Sequence, residues 1–143
     1  MSIIGLSLEA TRPYQSRLDP AKGTDEATVF RLGTLDSRIM GKIRDLATTI
    51  NVDPSQPDDE VETSINQNEV FFQTVSYGLK GWEKFKDKNG NDIEFATITR
   101  RHSGQVYQIV DPDKLKLLPQ SIIVELAQEI QKDNEVSNAQ GNA

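Results

Sequence analysis

The row Ile122, Ile123, Leu126, Ala127 and Ile130 constrains this chain more than any other segment. These residues recur at helical spacing, so a helix over them carries a continuous apolar stripe that has to be covered by something. Pro119 is suited to starting that helix, because a proline is tolerated in the first turn where the backbone N–H lacks a partner anyway. Gln120, Glu125, Gln128 and Lys132 are expected on the opposite, solvated face. Just upstream, Asp111-Pro112 reads as a cap followed by a first-turn proline, leading through Leu115, Leu117 and Leu118.

Two further helices follow from the same pattern. Leu35, Ile39, Ile43, Leu46 and Ile50 share one face, with Thr34 or Asp36 available as the cap. Asn66 can cap another, with Phe71, Val75, Gly78, Leu79 and Trp82 along one side; the glycines Gly78 and Gly81 end it near Leu79. Thr28 to Leu32 is β-branched and aromatic and predicts a strand that turns at Gly33. Asn89-Gly90 predicts a type I′ hairpin turn, after which Ile93, Phe95 and Thr97 alternate with polar neighbours. A second turn at Arg100 to Gly104 leads into Val106, Tyr107, Ile109 and Val110, so the region reads as a small meander.

The expected fold is α+β, with about three main helices and a small antiparallel β-hairpin or meander. Residues 1–133 form one domain in this reading, and 143 residues suffice for a single core. Residues 52–68 hold two prolines and five carboxylates with few large apolar groups, and are expected to be an acidic surface loop. Residues 134–143 are small and polar and are expected to be a mobile tail.

Charge and composition then remove function classes. No cysteine is present, so disulfides, thiolate metal sites and thiol nucleophiles are excluded, in keeping with a reducing compartment. No stretch approaches the roughly 20 apolar residues a membrane helix needs, and no signal peptide is recognisable. A net charge of −6 repels a phosphate backbone, which makes nucleic acid an unfavoured partner.

The search for chemistry yields no catalytic residue. The string from Asp87 to Asp92 resembles a calcium loop, but its glycine stands fourth instead of sixth and the twelfth residue is Ile98, not glutamate. His102 is the only histidine and sits in an arginine- and glycine-rich turn, a poor setting for a general base or a metal ligand. No phosphate-binding glycine loop, nucleophile elbow or zinc-binding His pair occurs. The reading is therefore of a non-enzyme without cofactor or metal. Arg100, Arg101, Lys80, Lys84, Lys86 and Lys88 gather in sequence near Trp82, Phe85 and Tyr107, a composition that serves either single-strand binding or, more in keeping with the net charge, an acidic protein partner.

Three segments in order carry a family resemblance: VFRLGTLDSRIMGKIRD, then FFQTVSYGLKGWEKFKDKNGNDIEF, then LKLLPQSIIVELAQEI. The most specific is Gly78 to Phe95, a G-x-x-G-W-x-x-F core followed by an acidic, glycine-containing turn and an apolar strand. The chain resembles small conserved proteins of tailed bacteriophages of the tail assembly chaperone type. That resemblance implies a protein that works in the host bacterial cytoplasm while the virion is built, binding the tape measure protein and tail tube subunits. A minor structural component of neck or tail, kept in the virion, is the alternative. The apolar residues available to a partner in this reading are Phe71, Trp82, Phe85, Ile123, Leu126 and Ile130. An amphipathic stripe also closes a chain's own core, and for Trp82 the core is the first reading.

Overall fold

The computed structural model describes Ile3, residues 5–52 and residues 61–134. The elements run β1 (Thr11–Tyr14), β2 (Val29–Gly33), α1 (Ser37–Ala47), β3 (Thr48–Val52), β4 (Val61–Ile65), α2 (Gln67–Gly78), β5 (Leu79–Glu83), β6 (Thr97–His102), β7 (Gln105–Val110), α3 (Pro112–Leu115) and α4 (Gln120–Asn134). The architecture is α+β. Three main helices are joined by the single turn of α3, and the described strands form a three-stranded antiparallel sheet, β1-β2-β5, and two hairpins, β3-β4 and β6-β7.

Local chemistry accounts for most boundaries. Asp36 caps α1, its carboxylate accepting from the Ile39 N–H at 2.8 Å. Asn66 caps α2 through the Glu69 N–H, and Asp111 caps α3 with Pro112 in the first turn. At Leu79 the backbone turns extended, and the chain passes directly from α2 into β5, which pairs with β2. Trp82 therefore lies on a strand opposite Phe30, not on a helix face, because the glycines at 78 and 81 disfavour helix where a neighbouring strand offers a ladder.

Several expectations are corrected. The helix from Leu35 stops at Ala47: Ile50 belongs to β3, and Leu46 is 54% exposed. The expected acidic loop of 52–68 contains β4, whose Val61, Thr63 and Ile65 alternate as a strand requires, and the first residues of α2. Residues 53–60 of that loop lie outside the described residues. The type I′ geometry sits at Ser103 (φ 51°) and Gly104 (φ 76°), tightly joining β6 to β7, so Arg100 to His102 are strand residues. At Asn89-Gly90 only Gly90 has positive φ, and the Asp87 carboxylate organises the turn by accepting from the N–H groups of Asn89 and Asn91. Ile93 to Ala96 form no strand. The tail boundary also moves: Asn134 ends α4, and its side-chain amide pairs with the backbone N–H and carbonyl of Leu35. The expected mobile tail otherwise lies outside the described residues.

α2 is the central element. It packs against α4, α1 and β7, while α4 also meets β2. Leu32, Ile39, Val75, Leu79, Val110, Leu115, Leu126 and Ile130 are completely buried between them. The α2–α4 crossing is close at Gly78, where an added Cβ would lie 2.8 Å from Ile130 Cδ1 and 2.9 Å from Cγ2. Gly78→Ala is expected to cost about 1–3 kcal/mol through overpacking despite the better helix propensity of alanine. Combined with Ile130→Ala, which clears the space, the loss should fall short of the sum of the two single losses by about 0.5–3 kcal/mol. Urea unfolding of the four proteins measures this coupling, and additive losses would contradict the contact.

Candidate functional site

The positions singled out from sequence are mostly interior. Trp82, Ile123, Leu126 and Ile130 are buried in the chain's own core, and Phe71 and Phe85 are partly buried against it. Trp82 stacks edge-on with Phe85 (centroids 5.0 Å) and Phe95 (4.9 Å), and its indole N–H donates to the Ile93 carbonyl at 2.7 Å. Trp82, Ile123, Leu126 and Ile130 thus pack the chain's own interior, while Phe71 and Phe85 keep part of their surface exposed. The cations near them disperse as well. Lys86 pairs with Asp92, Lys80 donates to the Tyr77 carbonyl, Lys84 donates to the Asp25 carbonyl, and Trp82 is turned inward, away from them.

A different group does come together. α1, α2, the inner face of β6-β7 and α3 enclose a cleft of about 320 Å³. Ile109 and Leu115, buried, and Phe72, half-buried, give its floor an apolar part, beside which Gln73, Ser76 and Tyr77 of α2 also line it. Its rim carries Leu46, Lys42 and Arg100. Helical spacing places Arg38, Lys42 and Leu46 in one row along α1, four residues apart. Strand alternation places Arg100 opposite Tyr107 on the inner face of the hairpin.

Two tyrosines hold this face in shape. Tyr77 and Tyr107 meet edge to face at 5.9 Å, and Lys42 Nζ lies 3.1 Å from the Tyr77 hydroxyl and 5.6 Å from the ring centroid. The Tyr107 hydroxyl donates to Asp36 at 2.7 Å. Its pKa is raised by burial, then by the hydrogen bond to Asp36 and that group's charge, with Arg38 acting in the opposite sense. The phenol therefore stays a donor across the physiological range. Such a face can seat an apolar side chain and pair with carboxylates around it.

A second polar constellation joins β1 to α4. Glu125, expected on the solvent face, is buried, and its carboxylate accepts from the Tyr14 hydroxyl (2.5 Å), the Ser16 hydroxyl (2.5 Å) and the Arg17 N–H (2.8 Å). One turn on, Arg12 bridges Glu129 at 2.9 Å and Asp133 at 2.8 Å. Burial acts to raise the Glu125 pKa, but the hydrogen bonds from Ser16, Tyr14 and Arg17 outweigh it and hold the group below the usual carboxylate range. The Tyr14 hydroxyl is pushed up to about 12 by burial and by its bond to Glu125. These carboxylates are engaged by side chains and backbone of the fold itself, so this seam is an adhesive between elements.

A third feature, a cleft of about 360 Å³, lies where α1, α2 and α4 meet, lined by Met40, Arg44, Val70 and Thr74 among others. The Thr74 hydroxyl there is buried without a hydrogen-bond partner, which suits the site to an ordered water. Among the described residues no group of three or more His, Asp or Glu side chains is placed to hold a metal ion, and no helix is long and apolar enough to cross a membrane.

The sequence contained a signal for the first cleft in the four-residue row Arg38, Lys42, Leu46, but Leu46 reads as part of the buried stripe until the end of α1 is known. No family model, curated protein or solved structure matches the chain.

Proposed function

We propose that this chain is an assembly protein of a tailed bacteriophage, acting as a tail assembly chaperone that holds another phage polypeptide in the host cytoplasm. The observation that carries the reading is the cleft with an apolar floor and a cationic rim, Leu46, Lys42 and Arg100, on a chain of net charge −6. An exposed leucine beside a recess floored by Phe72, Ile109 and Leu115 supplies the anchor site that protein interfaces use. Around it, cations on an otherwise acidic molecule set the orientation of an incoming partner and favour one sign of charge. The residues named from the family resemblance serve a different part in this account: Trp82, Leu126 and Ile130 build the body on which the face is displayed.

The test has two arms. Mass spectrometry of purified virions, with capsid and tail proteins as internal standards, is expected to find the protein absent from particles. Affinity purification from infected cells is expected to recover the tape measure or tail tube protein with it. Presence at a fixed copy number in virions would make it a structural component of neck or tail instead, and absence from both would overturn the assembly reading.

A further inference from the structure

We infer that the cleft between α1, α2, β6-β7 and α3 takes an acidic amphipathic helix of the partner, one apolar side chain entering the recess and carboxylates engaging Lys42, Arg100 and Arg38. This rests on the protein-binding reading above and names the chemistry of what is bound.

Charge at the cleft favours an acidic occupant. Arg12, Arg17, Arg31, Lys86, Lys116 and Lys132 each form an ion pair within the fold. Lys42 and Arg100, which line the cleft, form none among the described residues, nor does Arg38 one turn before Lys42 on α1; other cations, Arg44 and Arg101 among them, are unpaired too, and what sets Lys42 and Arg100 apart is their place at one recess. The carboxylates near them are not held in reserve for them. Asp36 is engaged by the Ile39 N–H and the Tyr107 hydroxyl, Asp113 pairs with Lys116, and Asp45 makes no ion pair with Lys42 three residues away. In a chain of net charge −6, Lys42 and Arg100 at one recess, with Arg38 one turn along α1, attract a negatively charged ligand and repel a basic one.

Shape selects the form of that ligand. The recess, about 320 Å³, is at the small end of ligand sites and fits a single large side chain better than a length of chain. Its walls are side chains from helices and from the face of a hairpin, so an occupant meets side chains there. A helix presents one apolar knob with acidic residues one turn to either side, which matches Lys42 and Arg38 placed one turn apart on α1. The cations alone would serve a phosphate as well as a carboxylate, but the apolar recess beside Leu46 adds an anchor that a side chain fills and a phosphate does not, and this sets a protein helix above a nucleic acid.

The experiment uses the full chain and a fluorescein-labelled synthetic helix-forming peptide, with leucines on one face and glutamates flanking them, read by fluorescence anisotropy. The acidic peptide is expected to bind and its lysine-for-glutamate counterpart is not. The double substitution Lys42→Glu with Arg100→Glu should weaken binding by about tenfold or more, and so should raising salt from about 50 mM to about 500 mM. Leu46→Asp should weaken it at both salts, whereas Lys88→Glu should not; all four positions are exposed or half-exposed, and circular dichroism verifies that each variant folds. Equal binding of both peptides, indifference to the double substitution, or displacement of the acidic peptide by oligothymidylate would overturn the inference. If the peptide binds at this face but no tape measure or tail tube protein co-purifies from infected cells, the assembly reading alone fails. If co-purification succeeds and survives the double substitution, this inference alone fails.

Discussion

Leu126→Ala is expected to destabilise the isolated chain by about 2–5 kcal/mol, measured by urea unfolding with nothing else present. Leu126 is completely buried at the centre of the α4 stripe, surrounded by the core residues of α2 and the sheet. Truncation removes its transfer free energy and leaves a cavity that helices held by caps and close crossings cannot collapse to fill. Leu117→Ala, at a residue 47% exposed, should stay within about 0.5 kcal/mol of the parent. The pair also decides what the stripe is for. A stripe reserved for a partner would be exposed in the free chain, and Leu126→Ala would then leave the isolated protein's stability almost unchanged.

The second large effect is acid sensitivity centred on Glu125. Its folded pKa is lowered, as is that of Glu129, where burial opposes but the Arg12 and Lys132 hydrogen bonds prevail. A carboxylate with a depressed folded pKa contributes stability that is present above its unfolded value, about 4.3 for glutamate, and is lost as pH falls through the folded value. Stability should therefore be flat near neutrality and decline as pH drops below about 5. Glu125→Gln keeps the shape but removes the charge. It places an amide where the Tyr14 and Ser16 hydroxyls and the Arg17 N–H all donate, and is expected to cost about 3–5 kcal/mol at pH 7. The gap between Glu125→Gln and the parent should narrow as the pH falls, because protonation removes the same charge from the parent. A gap that stays constant from neutral to acid pH would contradict the charge-based account of the seam.

How much of this was legible in the sequence depends on whether the partner of a residue is near in the chain. The α4 stripe, the Asp36, Asn66 and Asp111 caps and the strand at Val29 to Gly33 follow from spacing and from residues a few positions apart. β1 was illegible because Thr11-Arg12-Pro13-Tyr14 has little apolar content and a proline that suits only an edge strand. Beyond its ladder with β2, what holds β1 is Arg12 to Asp133 and Tyr14 to Glu125, contacts more than a hundred residues apart. In sequence Glu125, Glu129 and Asp133 are an acidic row every fourth residue, indistinguishable from a solvated face until β1 arrives to cover it. The spacing of Trp82 from Leu79 and Val75 is helical, and only its pairing with Phe30 across β2 and β5 places it on a strand.

The candidate site was less legible than the fold. Arg100 and Lys42 are brought together by packing of a hairpin face on a helix, and neither position carries a motif. The residues that sequence reasoning selected were the large apolar ones, which the fold uses for itself. The groups that the proposal assigns to a partner are Leu46, which is exposed, and Lys42 and Arg100, which form no ion pair among the described residues, and they become visible only once burial and pairing are known.

The most direct test of the central claim is to place a photo-crosslinking residue at position 46 of the full chain in infected cells and identify what it captures. The account predicts an adduct with the tape measure or tail tube protein, lost when Lys42→Glu and Arg100→Glu are combined with it and absent when the crosslinker stands at position 88. No adduct at position 46, or the same adduct from both positions, would contradict the claim that this face holds the partner.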